Sequence, residues 1–230
     1  MNTTDGYANP DLLAETTWLA ENLSNANVRI IDGRPEEKYV DGHIEGAINL
    51  EFSAVPGDVE ATDGSDFAGM LAAQGIGDQH IIVCYDDAGP PAARLWWLLS
   101  YFGVENVRVL NGGINKWVQE GRDVTSEKPN HSPASFVPKI VGDLVCSLDH
   151  AKKGVNDSGT VFWDTRLEGE YTGEINRGNA ADRVGHIPGA VHLEWSTLIE
   201  QSTQTIKPAN EIRAILEAKG ITPDKEVLTY

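Results

Sequence analysis

An acid and an arginine two residues apart occur twice in this chain, each time ahead of a tyrosine and a Gly-His-Ile turn. Asp32-Gly-Arg34 precedes Tyr39 and Gly42-His43-Ile44, and Asp164-Thr-Arg166 precedes Tyr171 and Gly185-His186-Ile187. The acids have two readings. They could support a loop at a functional site, or they could simply accept loop N–H bonds and pair with Arg34 or Arg166, which requires no site. Arg166 and Arg183 are the candidates for attracting an anion. His186 and His43 sit in the same context in both copies, which favours a structural role such as a turn hydrogen bond; with Asp164, His186 is the candidate for loop support. The chain has two cysteines. Cys84 lies inside an apolar run, where it reads as a small buried hydrophobe. Cys146 has no acid or base beside it in sequence. Neither is placed as a nucleophile, so no catalytic residue is assigned among the 230 residues, and no metal ligand set is expected. Asn111-Gly-Gly113 lacks the Lys-Ser/Thr of a phosphate-binding loop and reads as a tight strand-to-helix turn.

The repetition extends further. Gly42 to Phe52 matches Gly185 to Trp195, and Leu71 to Tyr85 matches Leu216 to Tyr230. Matched blocks in the same order, more than a hundred residues apart, indicate a duplicated domain rather than a solenoid. The first copy runs on from Tyr85 into Asp86-Asp87-Ala88-Gly89 and a helix, whereas the second reaches Tyr230 where the same loop would open. The second domain is therefore expected to be incomplete. Two residues separate Tyr39 from Gly42 but thirteen separate Tyr171 from Gly185. The insertion, Thr172 to Arg183, is long enough to fold over a neighbouring site.

These residues must be positioned by strands and helices in alternation. Val28–Asp32, Ala47–Leu50, His80–Tyr85 and Val107–Leu110 read as strands. Thr17–Leu23, a segment capped by Ser65, a Pro90-initiated segment ending at Gly103 and a segment carrying Trp117 read as helices. The second copy repeats a helix near Ser147–Lys153, a strand at Val161–Asp164 and a helix over Asn210–Lys219. This pattern implies an α/β fold of two domains, each a parallel sheet with helices on both faces. The expected boundaries are 1–124 and 136–230, with the polar, proline-bearing 125–135 as linker.

Hydrophobic content of 40% with 23% charged residues is that of a globular chain. A net charge of −17 argues against gripping nucleic acid or an anionic membrane surface. No secretory signal is legible, and no apolar run approaches the roughly 20 residues of a span, so a cytoplasmic location is the expectation. An anionic ligand would meet an overall repulsive field and would have to be held by local donors.

Asp-x-Arg followed by Tyr, then Gly-His-Ile-x-Gly-Ala, then a buried strand and a turn into a helix, resembles the rhodanese family. The duplication resembles its tandem-domain thiosulfate and 3-mercaptopyruvate sulfurtransferases, over nearly the whole chain. The insertion with Tyr171-Thr-Gly-Glu and Arg183-Val-Gly-His-Ile-Pro-Gly-Ala looks like the bacterial thiosulfate type. The mercaptopyruvate and animal-type enzymes commonly carry a substrate-contacting Arg just before the Tyr; here Glu170 stands there.

The resemblance implies an active C-terminal domain whose nucleophilic Cys directly follows Tyr230. That Cys would take the outer sulfur of thiosulfate as a persulfide and pass it to cyanide or a thiol, without metal or organic cofactor. It also implies that Asp86 and Asp87 mark the inactive copy's loop, where Pro90 and Pro91 remove N–H donors and leave a poor anion cradle. The 230 residues alone are then expected to be inactive. The alternatives are a non-catalytic rhodanese-like binding module, a 3-mercaptopyruvate enzyme, or a phosphatase-type enzyme on the same scaffold, which would need a different loop and against which the two-domain layout argues.

Overall fold

The computed structural model describes residues 6–87, 89–176 and 183–230. It divides into two compact units. The N-terminal unit comprises Ala8–Leu144 together with Gln201–Thr205. The C-terminal unit comprises Val145–Glu200 and Ile206–Tyr230, with the described N-terminal residues Gly6 and Tyr7.

The N-terminal unit holds strands β1 (Leu13–Ala14), β2 (Val28–Asp32), β3 (Ala47–Asn49), β4 (Ile81–Tyr85) and β5 (Val107–Leu110). They form one parallel sheet in the order β1-β5-β4-β2-β3. Helices α1 (Thr16–Glu21), α2 (Glu36–Asp41), α3 (Ser65–Ala73), α4 (Pro90–Tyr101) and α5 (Gly113–Gln119) connect them. Neighbouring strand residues point to opposite faces. Ile82, Val83, Cys84 and Tyr85 are nevertheless all fully buried, as is Ile31, with Ile30 nearly so, so both faces of the sheet are covered, as a parallel sheet requires. Pro90 starts α4 at a position where no N–H is needed. Leu95, Leu98 and Leu99 bury one side of it. Gly103, at φ 90°, ends it, with Val104 N–H bonded back to Leu99 O and Gly103 N–H to Ser100 O.

The register sets up the site. Asp32, the last residue of β2, lies beside Tyr85, the last of β4, and beside Asn49, the last of β3. In an open parallel sheet this carboxyl edge is where ligands gather.

In the C-terminal unit, β6 (Thr160–Asp164), β7 (Val191–His192) and β8 (Glu226–Thr229) form a parallel sheet in the order β7-β6-β8. Asp164 pairs with His192 and Trp163 with Thr229. Helices α6 (Leu148–Gly154), α7 (Glu168–Thr172) and α8 (Ala209–Ala218) accompany it. Ser147 caps α6 by accepting the His150 N–H at 3.2 Å. Among the described residues of this unit, Phe162, Ala190, Leu193 and Ile221 are the buried apolar side chains, whereas β8 is largely exposed. This sheet is smaller than the five-stranded one. No helix among the described residues is long and apolar enough to cross a membrane.

Three details differ from the sequence-based expectation. Ser65 is the first residue of α3 rather than its cap; Gly64 takes the cap position at φ 79°, and Asp63 Oδ1 accepts the Ser65 N–H. The short elements β1, α2 and α7 had no legible period. The segment 125–135 is not a free linker. Thr125 and His43 exchange backbone hydrogen bonds, His131 donates to Gly46 O, and Ala134 N–H donates to Ala72 O. The N-terminal unit continues to Leu144, because the backbone of this polar stretch finds partners on its surface.

Candidate functional site

Each sheet carries the same cluster at its carboxyl edge. In the N-terminal unit, fully buried Asp32 accepts the Arg34 backbone N–H at 2.9 Å and Nε at 3.0 Å on Oδ1, and Arg34 Nη2 at 2.6 Å on Oδ2. Oδ2 also accepts the Tyr85 hydroxyl at 2.7 Å, and the Tyr85 oxygen accepts the Ile44 N–H at 3.1 Å. Arg34 Nη2 reaches Gly42 O at 2.7 Å. In the C-terminal unit, Asp164 accepts Arg166 N–H and Nε at 3.0 Å each and Nη2 at 2.5 Å. Arg166 Nη2 reaches Gly185 O at 2.9 Å, the Tyr230 oxygen accepts the Ile187 N–H at 3.0 Å, and the Tyr230 hydroxyl bonds Asp164. The arginine lies over the tyrosine ring in both, at 5.7 Å for Arg34 on Tyr85 and 5.1 Å for Arg166 on Tyr230.

The electrostatics follow. Burial alone would raise the Asp164 carboxyl, but the hydrogen bonds and charge of Arg166 outweigh it and hold the group below the usual carboxylate range. Burial, then the charge of Asp32, pushes the Tyr85 phenol up; burial and Asp164 do the same to Tyr230. Both tyrosines are neutral donors.

A second shared cluster holds the turn. Tyr39 stacks on His43 with ring centroids 3.8 Å apart, and Tyr171 on His186 at 3.7 Å. Each histidine donates Nδ1–H to the carbonyl of its tyrosine at 2.8 Å; a carbonyl only accepts, so that nitrogen carries the proton. Tyr39 and Tyr171 hydroxyls donate to Ala47 O and Ala190 O. Asn49 Nδ2 donates to Arg34 O at 2.8 Å, and its counterpart His192 donates Nε2–H to Arg166 O at 2.9 Å while stacking on Tyr171.

The copies differ at the loop. Beyond Tyr85, Asp86 is buried and its two carboxylate oxygens accept the N–H groups of Gly89 at 2.6 Å and Ala92 at 2.8 Å. The N–H groups that this loop does offer are thus taken by its own Asp86. Asp87 pairs with Lys38, and its carbonyl accepts Asn115 Nδ2. A cavity of about 240 Å³ opens there, lined by Gly33, Arg34, Asp86, Asp87 and Asn115 among others. In the C-terminal unit the equivalent position is the one after Tyr230.

The rhodanese-like domain family matches residues 15–120 and 147–230, covering both units. The chain belongs to the rhodanese-like family. The "Sulfur carrier protein TtuD" of Thermus thermophilus is 32% identical over 240 residues, covering 98% of this chain and 84% of that protein. The thiosulfate sulfurtransferase of Azotobacter vinelandii is 29% identical over 232 residues, with the same coverage of 98% and 84%. Among solved structures, SseA from Escherichia coli, described as a 3-mercaptopyruvate sulfotransferase, superposes with a TM-score of 0.83 at 24% identity, over 95% of this chain and 87% of that one. It shares the tandem rhodanese fold.

Within the rhodanese frame the sequence-predicted residues separate. Asp164 sits at the carboxyl edge, beside His192 and bonded by the Tyr230 hydroxyl. Arg166 is there too, one-third exposed, but its charge is matched by Asp164. His186 is exposed on the turn, stacked on Tyr171. Arg183 is exposed and makes no ion pair among the described residues. Of the insertion before it, residues 173–176 turn back onto α7 through Ile175 N–H to Gly169 O, and 177–182 lie outside the described residues. Cys84 is buried in β4, and burial followed by the charge of Asp86 pushes its thiol up. Cys146 is exposed near the start of α6, its thiol raised by desolvation and then by Glu226. Neither stands at a strand end. No group of histidine, cysteine and acid side chains suited to a metal occurs among the described residues. The residues missed from sequence are the two clamped tyrosines, Thr165 and His192. The signal for the tyrosines was their matched place in the repeat, Cys84-Tyr85 against Thr229-Tyr230.

Proposed function

We propose that this rhodanese-like protein is a thiosulfate-type sulfurtransferase whose nucleophile is a cysteine at the position directly following Tyr230, in the C-terminal unit. The observation that carries the reading is the clamp on Tyr230. The residue is held at phenol and carbonyl as Tyr85 is, and Tyr85 is followed by a loop whose N–H groups surround an anion. A thiol led into such a loop would be stabilised as thiolate by the same kind of donors. The C-terminal copy is favoured over the N-terminal one because the latter's cradle is filled by Asp86.

The thiolate attacks the outer sulfur of thiosulfate. A sulfur–sulfur bond forms to the enzyme, the bond to the SO3 group breaks, and its electron pair leaves with sulfite. The persulfide then gives its outer sulfur to cyanide or a thiolate, and the enzyme thiolate is regenerated. Charge balances in both steps, and neither needs a metal or organic cofactor. Glu170, an acid beside Tyr171, disfavours the carboxylate of mercaptopyruvate. The relation to a sulfur carrier protein supports a thiol as the acceptor in place of cyanide.

The test is a thiosulfate:cyanide assay on two forms, the 230-residue chain and one in which a cysteine-led loop follows Tyr230. Turnover in the longer form alone supports the reading. Turnover in the 230-residue chain that depends on Cys84 or Cys146 contradicts it. Anion binding without sulfur transfer in the longer form supports a non-catalytic module instead.

A further inference from the structure

A second cleft opens along the outer edge of β3. It has a volume of about 510 Å³ and lies within the N-terminal unit, in the size range of clefts that hold ligands. β3 pairs with β2 alone and ends the sheet. Facing it across the cleft are α3 and the segment 128–131. Leu50 N–H donates to Asp32 O at 2.9 Å. Successive peptide groups of a strand face opposite edges, so the N–H and C=O of Asn49 face away from β2, and Asn49 lines the cleft. Such an edge is a template for another strand. Ile48 and Leu50, two residues apart and buried, and half-buried Met70 supply an apolar floor.

The charges around this floor are sorted along β3. At its carboxyl end, Glu51 Oε1 accepts the Glu36 backbone N–H at 3.1 Å, which places both acids there. At its amino end, Thr125 exchanges backbone bonds with His43, and His131 donates to Gly46 O at 3.0 Å. Lys128, between Thr125 and His131 in the chain, stands at that end. Glu36, Glu51 and Lys128 all line the cleft. Among the described residues none of the three is in an ion pair. The strand path from Gly46 to Glu51 is about 16 Å long.

We propose that this cleft binds an extended peptide segment, added as a strand along the outer edge of β3. The segment carries a basic residue, which meets Glu36 and Glu51, and an acidic residue four positions away, which meets Lys128. Apolar side chains between them cover the floor. The outward peptide group of Asn49 and the length of the charge separation favour a peptide over a compact zwitterion. Main-chain hydrogen bonds supply affinity and the two charged ends supply selectivity.

The experiment titrates the 230-residue chain calorimetrically with two blocked peptides, acetyl-Lys-Val-Thr-Val-Glu-amide and its reverse-order partner. They present the same charges to a parallel or an antiparallel strand. One of them should bind saturably below about 1 mM, and more weakly at 300 mM than at 10 mM salt, because the charged ends are exposed to screening. The same peptide N-methylated at its three central residues cannot pair with a strand edge and should lose binding. Lys128→Glu should weaken binding about three- to tenfold, one exposed ion pair lost and a repulsion gained. It should also bind acetyl-Lys-Val-Thr-Val-Lys-amide more tightly than the parent does, a gain that a damaged fold would not give. Absence of saturable binding by both peptides overturns the proposal, as does a Lys128→Glu variant with parent affinities. Equal binding of the N-methylated peptide, or of free lysine, would show a site for charge alone and overturn strand addition. A chain that is dimeric in solution and binds peptide only on dissociation would make a second copy the occupant and overturn it too.

Discussion

The phenol oxygen of Tyr85 accepts the Ile44 N–H at 3.1 Å and donates to the buried Asp32 carboxylate at 2.7 Å, so one hydroxyl ties the end of β4 to the acid of β2 and to the turn beyond it. Tyr85→Phe removes both bonds inside the hydrophobic core of the N-terminal unit. It should destabilise the N-terminal unit by about 1–3 kcal/mol, the cost of leaving a buried amide without an acceptor. Urea unfolding followed by tryptophan fluorescence measures this; an unchanged midpoint would show that the phenol contributes only its ring.

The two Asp–Arg pairs should differ in what their loss costs. Arg34 is 7% exposed and Arg166 32% exposed, over carboxylates that are both fully buried. Arg34→Met strands Asp32 and should cost about 3–5 kcal/mol. Arg166→Met should cost less, because water reaches the place the guanidinium leaves. Equal losses in the two units would mean that exposure does not set the value of these pairs.

Asp164 also gives the C-terminal unit an acid sensitivity of known sign. Its folded pKa is depressed, with Arg166 overcoming the opposing effect of burial. The group therefore contributes stability that is present above the unfolded value of about 4 and is lost as pH falls through the folded value. Melting temperature measured from pH 6 down to pH 2.5 should fall less steeply in Arg166→Gln than in the parent, from a lower starting point. Parallel curves would remove Asp164 as a contributor.

How much of this was legible in sequence depends on distance along the chain. The Asp164–Arg166 and Asp32–Arg34 pairs are two residues apart, and their pairing could be read directly. Strands β2, β4 and β5 and helix α4 announce themselves as apolar runs bounded by glycine and proline. Thr165 could not be found this way. Its partner is Tyr230, 65 residues on, and only the register of β6 against β8 brings the two together. The filling of the cradle by Asp86 is not legible in sequence for a related reason. Counting prolines shows which N–H groups are missing, but not that those of Gly89 and Ala92 converge on a side chain of the same loop. The 125–135 segment reads as a linker by composition, while its backbone pairing with His43, Gly46 and Ala72 is a tertiary event.

The acidic surface makes local cations matter most when salt is low. Arg183 is exposed, follows the insertion, and is not neutralised by a neighbouring acid among the described residues. In the form with the loop, Arg183→Ala should raise KM for thiosulfate, by more at 10 mM salt than at 300 mM, where the screening length of a few ångströms shields the lost charge (about 10 Å at 0.1 M). An unchanged KM at low ionic strength would leave the insertion as a surface elaboration.

The central claim is that the sulfur-accepting thiol follows Tyr230 and is neither Cys84 nor Cys146. Intact-mass and peptide mapping after incubation with thiosulfate tests it most directly. Both forms should be exposed to thiosulfate, freed of excess donor and digested without reductant. The account predicts a single added sulfur on the cysteine after Tyr230 in the longer form, and none on either cysteine of the 230-residue chain. Added sulfur on Cys84 or Cys146, released as thiocyanate when cyanide is supplied, would contradict it.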